Sequence, residues 1–198
     1  MSFVSENVFK LIQYNTEIHQ EIIEKSKKGD RKSQFELYKL YAKAMYNISF
    51  RMMNKKEDAE DMLQESFTEA FKKLNTFRYE STFGAWIKRI VINKCINELK
   101  RRKTELVLVE DVRLTYKDAT EENNETEIEY EVQKIRNAVE QLPDGYRVIF
   151  SLYMLEGYDH IEISEILGIS ESTSKSQYLR AKNKIRELLN VKFINVED

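Results

Sequence analysis

The chain contains five glycines and one proline among its 198 residues. Glycine and proline interrupt helices and form most tight turns, and both are far below their average usage here. A chain with so few interruptions favours long helices joined by short connections. The apolar residues also recur at spacings of three and four rather than alternating as they would in a strand. We therefore predict an all-α fold.

Three helices are predicted in the first half of the chain, and together they form an N-terminal helical bundle over residues 21–103. The first begins near Gln34, the second spans about 57–74, and the third begins after a cap at Ser81 or Thr82 and continues to about residue 103. Residues 1–20 are predicted to be a tail or a short extra helix. The predicted apolar faces carry Phe35, Tyr38, Ala42, Met45, Ser49 and Met52 in the first helix, Ala59, Leu63, Phe67, Ala70 and Leu74 in the second, and Trp86, Ile87, Ile90, Val91 and Leu99 in the third.

The segment 104–133 is strongly acidic, with two basic and ten acidic side chains. It lacks a sustained apolar stripe, so it cannot bury enough surface to offset the entropy lost on ordering. We predict a flexible acidic linker between two small domains.

Residues 134–198 are predicted to form a second domain with a helix-turn-helix. A turn is expected at residues 143–145, followed by a helix over about 146–155. Asp159 and Glu162 have the spacing of a capping box for a short helix ending at Leu167. A three-residue turn at 168–170 then leads into a last helix over about 171–189. This arrangement can seat a recognition helix in the major groove of DNA.

Two segments carry features of nucleic-acid binding. Residues 71–103 hold ten basic and two acidic side chains, a net charge of +8, and aromatic residues interleave with polar ones over 77–86. Aromatic rings can stack on unpaired bases while basic side chains hold the backbone. The last helix begins with polar residues able to reach base edges. The alternatives are that Phe83 and Trp86 are core residues, which for Trp86 alone is the better explanation, and that the polar face is merely solvated.

The second helix carries an acidic, amide-bearing face, which suggests a protein partner, although a solvated face is the usual explanation of such a pattern. His19 and His160 stand far apart, without the spacing of metal ligands. The sequence has no glycine-rich phosphate loop and no G-x-S-x-G motif, and Cys95 lies in an apolar stretch. We predict no catalytic residue, no metal, no cofactor and no membrane insertion. A single cysteine and the lack of a signal peptide favour the cytoplasm.

Taken in chain order, these segments resemble the sigma-70 family of bacterial RNA polymerase sigma factors, and the compact extracytoplasmic-function (ECF) class in particular. Residues 58–65 (DAEDMLQE) resemble the polymerase-binding helix, and residues 77–90 (FRYESTFGAWIKRI) the segment that melts and reads the minus-ten element. Residues 142–147 (LPDGYR) and 162–170 (EISEILGIS) resemble the domain that binds the minus-thirty-five element.

The resemblance implies a transcription initiation factor that is not itself an enzyme. Its implied partners are the beta-prime clamp helices and beta flap of core polymerase, promoter DNA and an anti-sigma factor. Glu171 stands where larger sigma factors often carry arginine, which leaves the minus-thirty-five sequence open. The implied site residues are Asp61, Gln64, Glu65 and Phe71 for core binding; Arg78, Phe83, Trp86, Lys88, Arg89 and Asn93 for the minus-ten element and melting, with Phe83 near a captured base; and Ser172, Thr173, Lys175, Ser176 and Arg180 for the minus-thirty-five element.

Two other functions remain as alternatives. A stand-alone helix-turn-helix regulator of duplex operators would leave the 58–65 and 77–86 segments without a role. A helical protein-interaction module would not explain the +8 block at 71–103.

Overall fold

The computed structural model describes residues 19–106 and 127–189, and these residues form helices and no strand. The all-α prediction is confirmed. The expected tail at residues 1–18 and the greater part of the expected linker, 107–126, lie outside the described residues. The helices are α1 (19–27), α2 (Arg31–Met53), α3 (Lys56–Lys73), α4 (Phe83–Leu106), α5 (Glu127–Glu140), α6 (Asp144–Phe150), α7 (His160–Leu167) and α8 (Glu171–Leu188).

The chain divides into two compact units. Unit 1 combines the chain up to Ser49 with Glu57–Lys94, and unit 2 combines Phe50–Lys56 with the chain from Cys95 onward. The ends of α2 and α4 thus belong to unit 2, whereas the sequence predicted a first domain over 21–103.

The core of unit 1 is built from one apolar face of each of its helices. In α2 this face runs through Leu37, Met45 and Ile48, all almost fully buried. Phe35 was predicted to lie on the apolar face, but it is 59% exposed. The buried stripe of α2 follows the four-residue rows from Leu37, and Phe35 falls outside them, so its placement in the core was wrong. The other buried apolar residues of unit 1 are Ile23, Ala59, Met62, Leu63, Phe67, Ala70, Leu74, Phe77, Phe83, Ile87, Val91 and Ile92.

The C-terminal part of unit 2 has its own hydrophobic cluster, in which Ala138, Val139 and Leu142 of the α5 segment meet Ala181 and Ile185 of α8. Two boundaries differ from those expected. Helix α5 begins at Glu127, inside the predicted linker, and α6 begins at Asp144, inside the predicted turn. Pro143 precedes α6 and its carbonyl accepts the first helical bond from the Arg147 amide at 2.9 Å, because proline tolerates the start of a helix.

Arg147 is 3% exposed, which is unusual for a charged side chain. Its guanidinium donates to the carbonyl of Leu142 at 2.9 Å and pairs with the carboxylate of Asp144. A buried cation is tolerated when such partners compensate for its lost hydration. Arg147 therefore ties the turn after α5 to the first turn of α6. After Phe150 the helix continues as a π-helical turn, Ser151–Leu155.

Candidate polymerase and nucleic-acid interfaces

The outer face of α3 presents the predicted core-binding residues. Asp61, Gln64 and Glu65 are all exposed, whereas the opposite face, with Ala59, Met62, Leu63, Ser66, Phe67 and Ala70, is buried. The spacing of three and four places the acidic and amide groups on one side of the helix. Phe71 is half-buried, and its ring centroid lies 5.9 Å from that of Phe67. It is therefore partly a core residue.

Glu65 also takes part in an ion-pair network within unit 1. Lys94 of α4 lies 3.4 Å from a carboxylate oxygen of Glu65 and 3.0 Å from one of Glu69. The Glu69 and Glu65 carboxylates raise the pKa of Lys94 above its ordinary value, with Glu69 contributing most. The network links α3 to α4 and leaves the Glu65 side chain 56% exposed, so a partner can still reach it.

The predicted minus-ten segment begins in the entry loop, which we define as residues 77–82 between a 3-10 turn at Leu74–Thr76 and the start of α4. Phe77 is 4% exposed, but each residue from Arg78 to Thr82 is exposed. The Thr82 hydroxyl accepts a bond from the Ala85 amide at 3.2 Å and so caps α4. Arg78 is thus held in an exposed position between a buried ring and a helix cap.

Phe83 is 3% exposed and lies inside an aromatic cluster with Tyr41, Phe77 and Trp86. Its centroid is 5.0 Å from that of Tyr41 and 5.6 Å from that of Trp86. The adjacent Gly84 permits this packing, because a Cβ atom there would lie only 3.1 Å from Tyr41 Cε1. A ring enclosed in this way has no free face for a base, so the expectation that Phe83 stacks on an extruded base does not fit this arrangement.

Further along α4, Arg89 and Asn93 are exposed and lie one helical turn apart, while Trp86 and Lys88 are half-buried. Arg89 and Asn93 thus form one exposed strip on α4, the helix that follows the entry loop. Arg89 and Asn93 both lie in the N-terminal half of α4, the helix that begins at Phe83 of the aromatic cluster.

The ends of α7 and α8 are fixed by local capping, which includes the predicted capping box at the start of α7. The Asp159 side chain accepts from the Glu162 amide at 2.8 Å, and the Glu162 carboxylate accepts from the Asp159 amide at 2.9 Å, which completes the capping box. Gly168 ends α7 with a φ of 69°, a left-handed conformation that glycine adopts without steric cost. The Ser170 hydroxyl then caps α8 by accepting from the Thr173 amide at 3.1 Å.

Helix α8 buries Ser174, Ala181 and Ile185 and exposes four of its five predicted DNA-reading residues. Thr173 is half-buried. Lys175 pairs with Glu171 at 2.7 Å on the helix surface. Glu171, which stands where larger sigma factors often carry arginine, therefore contacts a residue that is predicted to bind DNA. The exposed members of the predicted set are Ser172, Lys175, Ser176 and Arg180.

A polar and aromatic cluster between α7 and α8 was not found from the sequence. His160 Nδ1 lies 2.9 Å from the hydroxyl of the buried Ser174, and the imidazole stacks on Tyr153 at 4.5 Å. Tyr178 completes the cluster at 4.5 Å from Tyr153. These contacts set how α8 lies on α7. The sequence tests His160 only against the spacing of metal ligands, whereas the position of Ser174 on the inner stripe of α8 indicates that the Ser174 side chain is buried.

Within residues 19–106 and 127–189, no group of His, Cys, Asp and Glu side chains could hold a metal ion. In the same ranges no helix combines the length and apolarity needed to cross a bilayer. Cys95 is buried.

Comparison with known proteins assigns both halves of the chain. Residues 37–105 match the family described as Sigma-70 region 2, and residues 132–185 match Sigma-70, region 4. The chain is 28% identical to the ECF RNA polymerase sigma factor SigW of Bacillus subtilis over 176 residues, which are 84% of this chain and 94% of SigW. It is 36% identical to the RNA polymerase sigma factor SigZ of the same organism over 142 residues, which are 72% of this chain and 78% of SigZ.

The fold is similar to that of the sigma factor RpoE in its complex with the anti-sigma factor NepR from Bartonella quintana. The TM-score is 0.57 at 23% identity, over 80% of this chain and 97% of RpoE. This likeness concerns the fold, while the two family matches and the relatives identify the chain. The chain belongs to the sigma-70 family, in the ECF class of RNA polymerase sigma factors, and is a transcription initiation factor.

Proposed function

We propose that three exposed surfaces of the chain divide the work of promoter-directed initiation. The outer face of α3 binds core polymerase, the entry loop and the start of α4 act at the minus-ten element, and α8 reads the minus-thirty-five element. The observation that carries this proposal is the way α8 buries Ser174, Ala181 and Ile185 while leaving Ser172, Lys175, Ser176 and Arg180 exposed. That division is what a recognition helix in a major groove requires.

Core binding is assigned to Asp61, Gln64 and Glu65. Their side chains are exposed on a helix whose other face is fixed in the core, so they form a rigid polar patch. Rigid presentation limits the entropy lost on binding. Phe71 contributes its exposed part at the end of the same helix. The clamp helices of the beta-prime subunit are the proposed partner of this patch, and the beta flap is the proposed partner of the C-terminal domain.

At the minus-ten element, Arg78, Arg89 and Asn93 are assigned to direct DNA contacts because they are exposed. Lys88 and Trp86, both half-buried, are assigned to the edge of this surface. We assign Phe83 a structural role in place of base stacking, because its ring is enclosed by Tyr41, Phe77 and Trp86. The enclosed ring holds the start of α4, so that the exposed loop residues meet the separated strands in a fixed position.

At the minus-thirty-five element, Ser172, Lys175 and Ser176 lie in the first turns of α8, where side chains of a recognition helix reach base edges. Arg180 lies further along and is assigned to the phosphate backbone. Thr173, which is half-buried, is assigned to orienting the first turn, since its hydroxyl lies 2.8 Å from that of Ser170.

No catalytic step is assigned to the chain, because nucleotide addition belongs to the polymerase that it directs. We place it in the cytoplasm together with core polymerase and promoter DNA. An anti-sigma factor is a further proposed partner, since the similar RpoE structure is a complex with one.

The proposal is tested by mixing the purified chain with core polymerase and promoter DNA. The chain should co-elute with core in gel filtration, and photocrosslinkers at Arg78 and at Arg180 should label different promoter positions, one near each element. A chain that binds duplex promoter tightly without core, and does not co-elute with it, would overturn the proposal in favour of a stand-alone regulator.

A further inference from the structure

The entry loop contains one residue with a left-handed backbone conformation. Tyr79, at its centre, has a φ of 62°, in the left-handed region that side chains other than glycine rarely adopt. A strained residue of this kind persists only where its surroundings fix it, and such residues concentrate at functional sites. Tyr79 lies between the exposed Arg78 and the exposed Glu80.

The surroundings that fix Tyr79 come from α1, more than fifty residues earlier in the chain. The phenol hydroxyl donates to Glu24 Oε1 at 2.6 Å. Lys27 Nζ lies 2.9 Å from the same carboxylate oxygen and 4.5 Å from the centre of the Tyr79 ring. One acid and one base of α1 therefore hold both the hydroxyl and the face of a single ring. We call Glu24, Lys27 and Tyr79 the loop clasp.

The clasp is also connected to the aromatic core. Phe77 packs on Tyr79 with the ring centroids 4.8 Å apart, and on Trp86 at 5.4 Å. Lys27 Nζ lies 5.9 Å from the centre of the Phe77 ring as well. Glu80 and Ser81 thus lie between two anchors, the clasp at Tyr79 and the Thr82 cap at the start of α4, and Arg78 directly precedes the clasp residue.

The protonation states suit the hydrogen bond between Tyr79 and Glu24. The hydrogen bond from Tyr79 and the ion pair with Lys27 hold the pKa of Glu24 below its ordinary value. Burial, together with the bond to Glu24, raises the pKa of Tyr79. The donor and the acceptor therefore both keep the states that the bond needs at neutral pH.

We propose that Tyr79 is a positioning residue for minus-ten recognition, and that α1, through Glu24 and Lys27, holds the entry loop in the shape that meets the separated strands. The inference rests on the proposed function of the loop. It assigns to α1 a part in promoter selectivity, although none of the three clasp residues is among those assigned to DNA contacts. The clasp acts through Arg78 and the exposed residues that follow Tyr79.

The test uses holoenzyme assembled from core polymerase and the full chain, carrying Tyr79→Phe, Glu24→Ala, Glu24→Gln or both Tyr79→Phe and Glu24→Ala. Tyr79→Phe removes the hydroxyl and keeps the ring. Glu24→Gln keeps an acceptor oxygen. Glu21→Ala is the matched control, because Glu21 lies on α1 and pairs with Lys25 of the same helix. Circular dichroism melts first establish that each variant is folded.

Two quantities are measured: permanganate reactivity of thymines in the open complex, and the base preference at each position of a promoter library. Loss of one hydrogen bond should lower open-complex formation by about threefold to tenfold in Tyr79→Phe and in Glu24→Ala. The double variant should form as much open complex as the less active of the two single variants, because both changes break the same hydrogen bond. Glu24→Gln should fall between wild type and Glu24→Ala. Preferences should change at the minus-ten positions and stay unchanged at the minus-thirty-five positions.

Three results would overturn the inference. Wild-type selectivity and open-complex levels in folded Tyr79→Phe would show that the clasp does not position the loop. A uniform loss on all promoters, with unchanged base preferences, would show that the clasp serves stability alone. If wild-type holoenzyme gives no promoter-dependent transcript, the proposed function itself fails; if wild type is selective and the clasp variants match it, only the clasp fails.

Discussion

The two proposed DNA-reading elements are held in place in different ways. The helix ends and the turn of the α7–α8 pair are fixed by bonds between neighbours in sequence: the Asp159–Glu162 capping box, the left-handed Gly168 and the Ser170 cap. The entry loop and the start of α4 are fixed by residues far apart in sequence, including Tyr41 against Phe83 and Glu24 against Tyr79. The helix ends and turn of the element proposed to bind duplex DNA, α7–α8, thus depend on contacts between residues close in sequence. The entry loop, proposed to contact the separated strands, depends on packing between distant helices of unit 1.

Phe83→Ala should have the largest effect, because it removes a ring from the centre of the aromatic cluster. A buried phenylalanine truncated to alanine costs about 3–5 kcal/mol of unfolding free energy. Urea denaturation followed by circular dichroism measures the loss. Arg78→Ala, in the exposed part of the loop, is the control and should stay within about 0.5 kcal/mol of wild type. An equally small change for Phe83→Ala would mean that the ring is not part of the core and would restore base stacking as its role.

Lys175→Ala should weaken specific promoter binding by holoenzyme by about 1–3 kcal/mol if the ammonium reads a base. Lys184 is the matched control, since it lies on the same helix and also pairs with a glutamate, Glu187. Lys184→Ala should cost less and act almost equally on all sequences. Footprinting on a consensus and on a scrambled minus-thirty-five element separates the two. If both variants were as selective as wild type, the assignment of the recognition surface to the start of α8 would be wrong.

Asp159→Ala should destabilise the α7–α8 unit by about 0.5–2 kcal/mol, the usual cost of losing an N-cap. Glu165→Ala, at an exposed site on the same helix, should have little effect. Thermal melts of the full chain provide the measurement. If both variants melted alike, local capping would not be what fixes this element, and the contrast with the entry loop would be lost.

Glu65→Lys should have the smallest effect on stability and a clear effect on core binding. The change reverses charge in the acidic patch and removes one of two carboxylates beside Lys94, while exposed substitutions usually stay within about 0.5 kcal/mol. Glu36→Lys makes the same change at an exposed site of α2. Pull-down with immobilised core should recover less Glu65→Lys than Glu36→Lys. Equal recovery of the two variants would show that Glu65 does not take part in the interface with core polymerase.

The same contrast explains which features could be predicted from the sequence. The capping box and the turn at 168–170 were predicted correctly, because their partners lie within three residues of each other and follow simple stereochemical rules. The sequence left a core position for Phe83 as one of two alternatives and could not decide between them, since the decisive neighbour, Tyr41, is more than forty residues away. The clasp was missed for the same reason: neither Glu24 nor Lys27 has a local pattern that points to Tyr79.

Helix boundaries show a second limit. Acidic composition led to a linker prediction that extended to residue 133, yet α5 begins at Glu127. Val139 and Leu142 pack against α8 and stabilise the helix from its C-terminal end. Tertiary packing of an amphipathic face, rather than composition, therefore determines where this helix forms.

The most direct test of the account is transcription by core polymerase and the purified chain from a library randomised at both promoter elements. Sequencing of the transcribed templates should return two blocks of preferred bases at a fixed separation, and Lys175→Ala should alter only the upstream block. A single block, or transcripts that do not depend on the added chain, would contradict the division of promoter reading between the entry loop and α8.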